Sequence, residues 1–337
     1  MKKIITLGEI MLRLSPPNRD KFLGTPNFQA NYGGGEANVA VALANYGVET
    51  AFVTKLPNNE IGDSAINHLR SFGVNTQAVV RGGDRVGIYF LENGFSLRNS
   101  KVIYDRKNSA ISTALVSDFE IESILQGWDI LHLSGITLGI SSNGFEISKA
   151  FMKKAKEMGM EISFDFNYRS KLWSLEEAGA KINEILKYVD IAFAGHLDFT
   201  NILGIVPEKP LEKIDILEYY EDLYRKVNSK YNFKYIVSSI RDVKSASNNT
   251  YTGICFDGNK IYRSKSYEVE IIDRVGTGDA YTAGFLYGYA IGKEIDYTIN
   301  IAVASSILKH TISGDVTLVK VGDVEELFKN DSFDVQR

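Results

Sequence analysis

The sequence predicts an α/β protein built on a doubly wound, mostly parallel sheet, with a small β-sheet inserted as a lid. Three observations predict it. From about residue 128 short apolar runs alternate with helix-like stretches, residues 13–32 and 85–107 break that rhythm as strands without helices, and two glycine-rich turns each lead into a helix. Strands separated by helices pair in parallel, because the crossover helix packs back onto the sheet with a fixed right hand.

In chain order, residues 13–32 read as lid strands, and Gly33-Gly34-Gly35-Glu36-Ala37-Asn38 opens a helix running through Val39 to Tyr46. Ala37, Ala40, Val41 and Ala44 fall at helical spacing and form its buried face. Within 85–107, Val86, Ile88 and Phe90 share one parity and Tyr89 and Leu91 the other, around the turn-like Glu92-Asn93-Gly94. A strand over Asp129 to Leu133 precedes a helix at 143–158, Ile162 to Phe166 precedes 175–188, and Ile191 to Ala194 precedes a helix at 197–203. Tyr235 to Ser239 continues the sheet, and two runs around Asp257-Gly258-Asn259 make a hairpin. Helices at about 276–291 and 296–310 close the domain, the first carrying Ala280, Gly284 and Gly288 as a stripe that admits a close neighbour. The reading is of one domain over 1–337 with the two lid segments inserted in it.

Composition excludes several classes. With 337 residues, 44% hydrophobic, the chain can bury a large core. Lys plus Arg (38) against Asp plus Glu (42) gives 38 − 42 = −4, which is not the basic footprint of a nucleic-acid binder. The single Cys255 excludes an internal disulfide and suits a reducing compartment. In MKKIITLGEIMLRL, Glu9 and Arg13 interrupt the apolar run short of signal or membrane length, so the expected location is the cytoplasm, with no membrane partner. His68, His132, His196 and His310 lack metal-ligand spacing, and the pattern Asn330-Asp331-Ser332 has no meaning as a glycosylation acceptor without secretion.

Four stretches can carry chemistry. In Asp273-Arg274-Val275-Gly276-Thr277-Gly278-Asp279 the backbone N–H groups of Gly276, Thr277 and Gly278 can approach an anion at the positive end of a helix. Asp279 then stands where a carboxylate could take a proton from an attacking hydroxyl. A second reading stays open, in which Asp279 merely favours the helix end and the glycines make a tight turn. Gly33 to Asn38 permits close ligand approach, with Asn38 able to bond sugar hydroxyls, or is a plain turn. Asp165-Phe166-Asn167-Tyr168-Arg169 ends a strand at the sheet edge where α/β folds bind ligands, and alternation puts Asp165, Asn167 and Arg169 on one side. Tyr104-Asp105-Arg106 on the lid offers an aromatic and a guanidinium, the latter suited to a planar carboxylate.

In this order the four motifs resemble the ribokinase-like (PfkB) family of carbohydrate kinases over nearly the whole chain. Asp273 to Asp279 matches the D-x-x-G-[AT]-G-D signature and Gly33 to Asn38 the N-terminal glycine signature. The stretches Gly8 to Pro16, Gly33 to Ala40, Tyr104 to Arg106, Asp165 to Arg169 with Leu172-Trp173, and Leu308 to Thr311 are similar to 2-keto-3-deoxygluconate kinases. The resemblance implies ATP-dependent phosphorylation of the terminal hydroxyl of a sugar acid, with Asp279 as base and Gly276, Thr277 and Gly278 as anion hole. It implies that Gly34, Asn38, Tyr89, Tyr104, Arg106, Asn167 and Arg169 meet the sugar, with Arg169 at its carboxylate, and that Mg²⁺ accompanies ATP. Asp273 matches a position that in many relatives helps hold a monovalent cation, K⁺ here. The family's Asn-x-x-Glu motif falls on Gly195-His196-Leu197-Asp198, keeping the carboxylate, which would support Mg²⁺ through water, and losing the amide. The usual glycine-rich nucleotide loop reads Ser238-Ser239-Ile240-Arg241-Asp242, leaving Ser239 and Arg241 as the nucleotide-side candidates. Alternatives within this reading are a fructokinase or another sugar kinase of the family, and a non-catalytic sugar sensor on the same fold. An apolar lid face offers a place for a homo-oligomer to form.

Overall fold

The inner strands are apolar on both faces, as a parallel sheet sandwiched between helices requires. In the computed structural model, which describes residues 1–329, β1 (Ile4–Leu7) is buried throughout and leads to β2 (Met11–Ser15) and β3 (Gln29–Gly33). Next come α1 (Gly35–Asn45), β4 (Thr50–Leu56), α2 (Glu60–Ser71), β5 (Val79–Arg81), β6 (Ile88–Glu92) and β7 (Lys101–Asp105). The second half runs α3 (Ile121–Leu125), β8 (Ile130–Ser134), α4 (Gly135–Gly139), α5 (Ser142–Glu157), β9 (Glu161–Asp165), α6 (Leu175–Ile185), β10 (Ile191–Phe193) and α7 (Ile216–Tyr231). It ends with β11 (Tyr235–Val243), β12 (Asn248–Phe256), β13 (Ile261–Glu270), α8 (Thr277–Ala290), α9 (Ile295–His310) and α10 (Val321–Lys329).

The large sheet has nine strands in the order β13-β12-β11-β10-β9-β8-β1-β4-β5. Pairing is parallel from β11 through β5, and the β11-β12-β13 edge is antiparallel. Alternate residues of β8 feed opposite cores: Leu131 and Leu133 join Phe145, Phe151 and Phe199, while Ile130 joins Phe285 and Ile299. The four strands β3-β2-β6-β7 form a separate, smaller sheet. The small stripe on α8 does what its spacing predicts, since a Cβ on Gly284 would lie 2.8 Å from the Ala302 Cα of α9.

Several expectations need correction. The expected 197–203 helix runs over 196–202 and is of π type over Asp198–Ile202. Residues 13–32 hold two strands, β2 and β3, paired antiparallel across a long loop, but β2 pairs in parallel with β6, so the small sheet is mixed rather than wholly antiparallel. Helix α7, with Tyr219, Tyr220, Leu223, Tyr224 and Val227 buried, has no counterpart in the sequence reading. β11 runs on to Val243, so Ser239 and Arg241 lie on a strand rather than in a loop. Asn330-Asp331-Ser332 lies outside the described residues. Among those described, no helix is long and apolar enough to cross a membrane.

Candidate active site

Helices α1 and α8 point their N-termini at the carboxyl ends of β9 and β10, the crevice where open α/β sheets take ligands. Asn38, in the first turn of α1, donates from Nδ2 to the Asp279 carboxylate of α8 at 2.6 Å. A Cβ on Gly35 would lie 3.7 Å from Asp279 Oδ1 and 3.9 Å from Asn167 Nδ2, so these groups surround one space. Gly34 is where it is because a Cβ would fall 1.9 Å from the Glu9 carbonyl oxygen. Behind them Glu36 is buried and accepts from Ser134 N at 3.0 Å, Ser134 Oγ at 2.7 Å and Thr137 Oγ1 at 2.6 Å, tying α1 to the end of β8.

The anion cradle is local geometry. Gly276 adopts φ 76°, a left-handed conformation, and a Cβ there would meet the Asp315 carbonyl oxygen at 1.9 Å, so only glycine fits. No side chain caps α8, and Thr277 N reaches the Arg274 carbonyl only at 3.5 Å, leaving the first-turn N–H groups for an anion. Arg274 braces the preceding loop by donating to Ser245 O at 2.6 Å, Ala246 O at 3.2 Å and Asn249 Oδ1 at 3.0 Å.

Three carboxyls share the crevice with the exposed Arg169. Burial pushes Asp279 up to about 6, against the Asn38 bond and Arg169, which favour its charge. Burial, then the charges of Asp279 and Asp198, lift Asp165 to about 8, so it holds a proton at neutral pH. Burial also raises Asp198 to about 6, opposed by the Gly195 N–H, which it accepts at 2.7 Å. Asn167 sits at φ 36° with its N–H and amide bonded to Asp165 at 3.1 and 3.3 Å, which turns it into the crevice.

On the small sheet, Tyr89 and Tyr104 are cross-strand partners with ring centroids 6.1 Å apart. Tyr104 is exposed, while Tyr89 is buried and donates its hydroxyl to Asp315. Arg106 pairs with the buried Glu9 and lies 5.7 Å over the Tyr104 ring. Ser239 and Arg241 stand on one parity of β11, away from the Asn38–Asp279 pair, with Arg241 near enough to Arg274 to add to the burial that disfavours the Arg274 charge. Asp273 is turned inward, accepting from Val275 N at 3.0 Å and from Arg13 at 2.8 Å. The histidines are structural: His132, His196 and His310 bond Ser163, Tyr220 and the Ser306 carbonyl, and His68 packs between Tyr32 and Phe72.

Sequence reasoning missed Asp315 and quoted Arg13 and Lys309 only within longer stretches; the three come from two distant segments, β2 and the end of α9 with the chain just after it, and meet beneath the cradle. It quoted Glu36 and Asp165 within motifs without these contacts; Asp165 was signalled by its place at the end of an apolar strand, and Glu36 by its place after three glycines at a helix start.

Comparison with known proteins agrees with this geometry. The pattern of the pfkB family carbohydrate kinases matches residues 1–319. A 2-dehydro-3-deoxygalactonokinase of Haloferax volcanii is 28% identical, covering 99% of each chain. The crystal structure of 2-dehydro-3-deoxygluconokinase from Thermotoga maritima is 43% identical, covers 98% of each chain and superposes with a TM-score of 0.94. Two more distant structures share the fold: an E. coli ribokinase-type protein with ATP and Mg²⁺ (19% identical, 98% and 99% covered, TM-score 0.80) and a Vibrio cholerae fructokinase with fructose, ADP and potassium (21%, 97% and 98%, TM-score 0.74). A ribokinase-like sheet, an uncapped glycine cradle and a carboxylate beside it, matched over almost the full length, make this chain a member of the pfkB family of carbohydrate kinases.

Proposed function

We propose that the protein transfers the γ-phosphoryl group of ATP to the terminal hydroxyl of 2-keto-3-deoxygluconate or the corresponding galactonate-derived acid. The observation that carries the reading is the Asn38–Asp279 pair, held at 2.6 Å beside the uncapped first turn of α8. Asp279 takes the proton from the sugar hydroxyl, whose oxygen forms a bond to the γ-phosphorus as the bond to the β,γ-bridging oxygen breaks and ADP leaves. The N–H groups of Gly276, Thr277 and Gly278 face the charge that develops on the transferring group. Asn38 keeps the base oriented and, as a donor, favours its ionised form.

The donor set fits a nucleotide with its magnesium ion. Space beside Gly278 is open, with nothing within 4 Å of a Cβ placed there. Among the described residues no group of three ligating side chains could hold an ion alone, which suits a metal carried on phosphates and supported by one or two carboxylates. Asp198 is the carboxylate proposed for that support. When bound, Mg²⁺ neutralises the phosphate oxygens.

An acid sugar is favoured over fructose by two arginines on separate elements. Arg169 is exposed at the crevice, near enough to stabilise the ionised forms of three carboxyls, and Arg106, paired with Glu9, stands on the small sheet beside Tyr104. A guanidinium holds a planar sugar carboxylate through a bidentate contact, which a neutral ketose does not offer. The names borne by the Haloferax and Thermotoga relatives support the same class. An ADP-release assay over 2-keto-3-deoxygluconate, 2-keto-3-deoxygalactonate, fructose and ribose tests it. The expected result is turnover of the two acids; fructose as the better substrate by kcat/KM would make the protein a fructokinase, and no turnover of any sugar would leave the sensor reading.

A further inference from the structure

Beneath the anion cradle lies a buried cluster of four opposed charges that the phosphoryl-transfer scheme does not use. Arg13 of β2, 2% exposed, donates from Nη2 to Asp273 at 2.8 Å, from Nη1 to Asp315 at 3.0 Å and from Nε to Ser15 at 2.8 Å. Asp273 also accepts from Gly314 N at 3.1 Å and Val275 N at 3.0 Å, and Asp315 from the Tyr89 hydroxyl. Lys309 of α9, wholly buried, donates its ammonium to the Ile312 carbonyl at 2.9 Å. The cluster touches the cradle: a Cβ at Gly276 would meet the Asp315 carbonyl oxygen and come within 3.4 Å of Lys309 Cε.

A monovalent cation at Asp273, as the family resemblance implies, does not fit these residues. Asp273 and Asp315 already receive donors on both oxygens, and the Ile312 carbonyl faces an ammonium, itself a compact single charge. Two buried cations already balance two buried carboxylates, and a further ion would leave a net charge with no partner in low dielectric.

We propose that Arg13 and Lys309 are a built-in replacement for that cation, fixing the loop and the field beneath the anion hole so that the enzyme works without K⁺. Both are positioning residues: they act on the N–H groups of Gly276 to Gly278 through Asp273, Asp315 and the two loops that carry them. A cavity of about 500 Å³, lined by Arg13, Ser15, Asn31, Asp273 and Gly314, gives small ions a way in once the guanidinium is removed.

The test uses the full-length enzyme in buffers whose only monovalent cation is tetramethylammonium, with KCl then added. Wild-type kcat should not respond to K⁺. In Arg13→Ala, kcat should fall by about 10²–10³-fold, the size of a lost oxyanion contact, with little change in the KM for sugar, and should recover on adding K⁺ or guanidinium, while Arg13→Lys keeps most activity. Lys309→Met gives the same readout if Arg13→Ala does not fold. Saturable activation of the wild type by K⁺, or cation-indifferent activity in both variants, overturns the proposal. The activity arm rests on the kinase reading. Thermal melting does not: K⁺, but not tetramethylammonium, should raise the melting temperature of whichever variant folds and leave the wild type unmoved, and a K⁺-specific rise in the wild type overturns the proposal even if no sugar is turned over.

Discussion

Asp279 shows how much of a residue's chemistry its surroundings set. In water it would be a weak base; burial raises it to about 6, which leaves it ionised but more avid for a proton near pH 7. Asp279→Asn should lower kcat by about 10²–10⁴-fold with sugar affinity and melting temperature little changed, measured by steady-state kinetics and calorimetry. The same residue predicts a fall in wild-type kcat/KM as pH drops through about 6, since the proton must be absent for the base to act. Arg169 belongs to the same scale. Arg169→Lys keeps the charge and loses the planar fork, so the KM for 2-keto-3-deoxygluconate should rise while kcat for any neutral sugar that is turned over stays level. Unchanged KM would take Arg169 away from the carboxylate.

Between residue and molecule, two elements set the geometry of the site. The π-type turn at Asp198–Ile202 holds its leading carboxylate by the Gly195 N–H at 2.7 Å and so aims it from the end of β10 into the crevice. Asp198→Ala should raise the Mg²⁺ concentration for half-maximal rate by about 10–100-fold, the usual scale of an outer-shell partner. An unchanged midpoint in a variant that melts earlier would leave Asp198 a structural role only. Helix α8 is fixed by its neighbour: a Cβ on Gly284 would come within 2.6 Å of Ser305 Oγ and 2.8 Å of Ala302 Cα. Gly284→Ala should therefore cost about 1–3 kcal/mol in urea unfolding despite the better helix propensity of alanine. A stabilised variant would mean that the two helices part easily.

At the scale of the whole molecule, the crevice makes stability depend on pH. Asp165 titrates near 3.8 when unfolded and about 8 in the folded protein, so between those values the native state binds more protons. Its stabilising contribution is complete below pH 4 and is lost as pH rises toward 8. Asp165→Asn, which cannot ionise, should therefore gain melting temperature relative to the wild type as pH rises across that window and melt higher at pH 8. Parallel slopes for the two proteins would show that Asp165 is not the group responsible.

The sequence alone determined the parts that depend on neighbours along the chain. Apolar runs separated by helical stretches specify the parallel sheet. The glycines of 33–35 and 276–278 specify two helix N-termini open to a ligand, and the small stripe of α8 specifies its packing, because each is a local matter of period, sterics and backbone freedom. What the tertiary structure decided depends on residues far apart. Nothing near Arg13 in sequence says that it will lie between Asp273 and Asp315, because a strand reading MLRLS alternates polar and apolar whether its arginine meets water or two carboxylates. Helix α7 stayed hidden because six charged side chains from Glu218 to Lys230 mask the apolar face it packs on the core. The proton on Asp165 is likewise set by Asp279 and Asp198, which arrive from other elements. Charge and burial act through space, and folding alone brings those partners within reach.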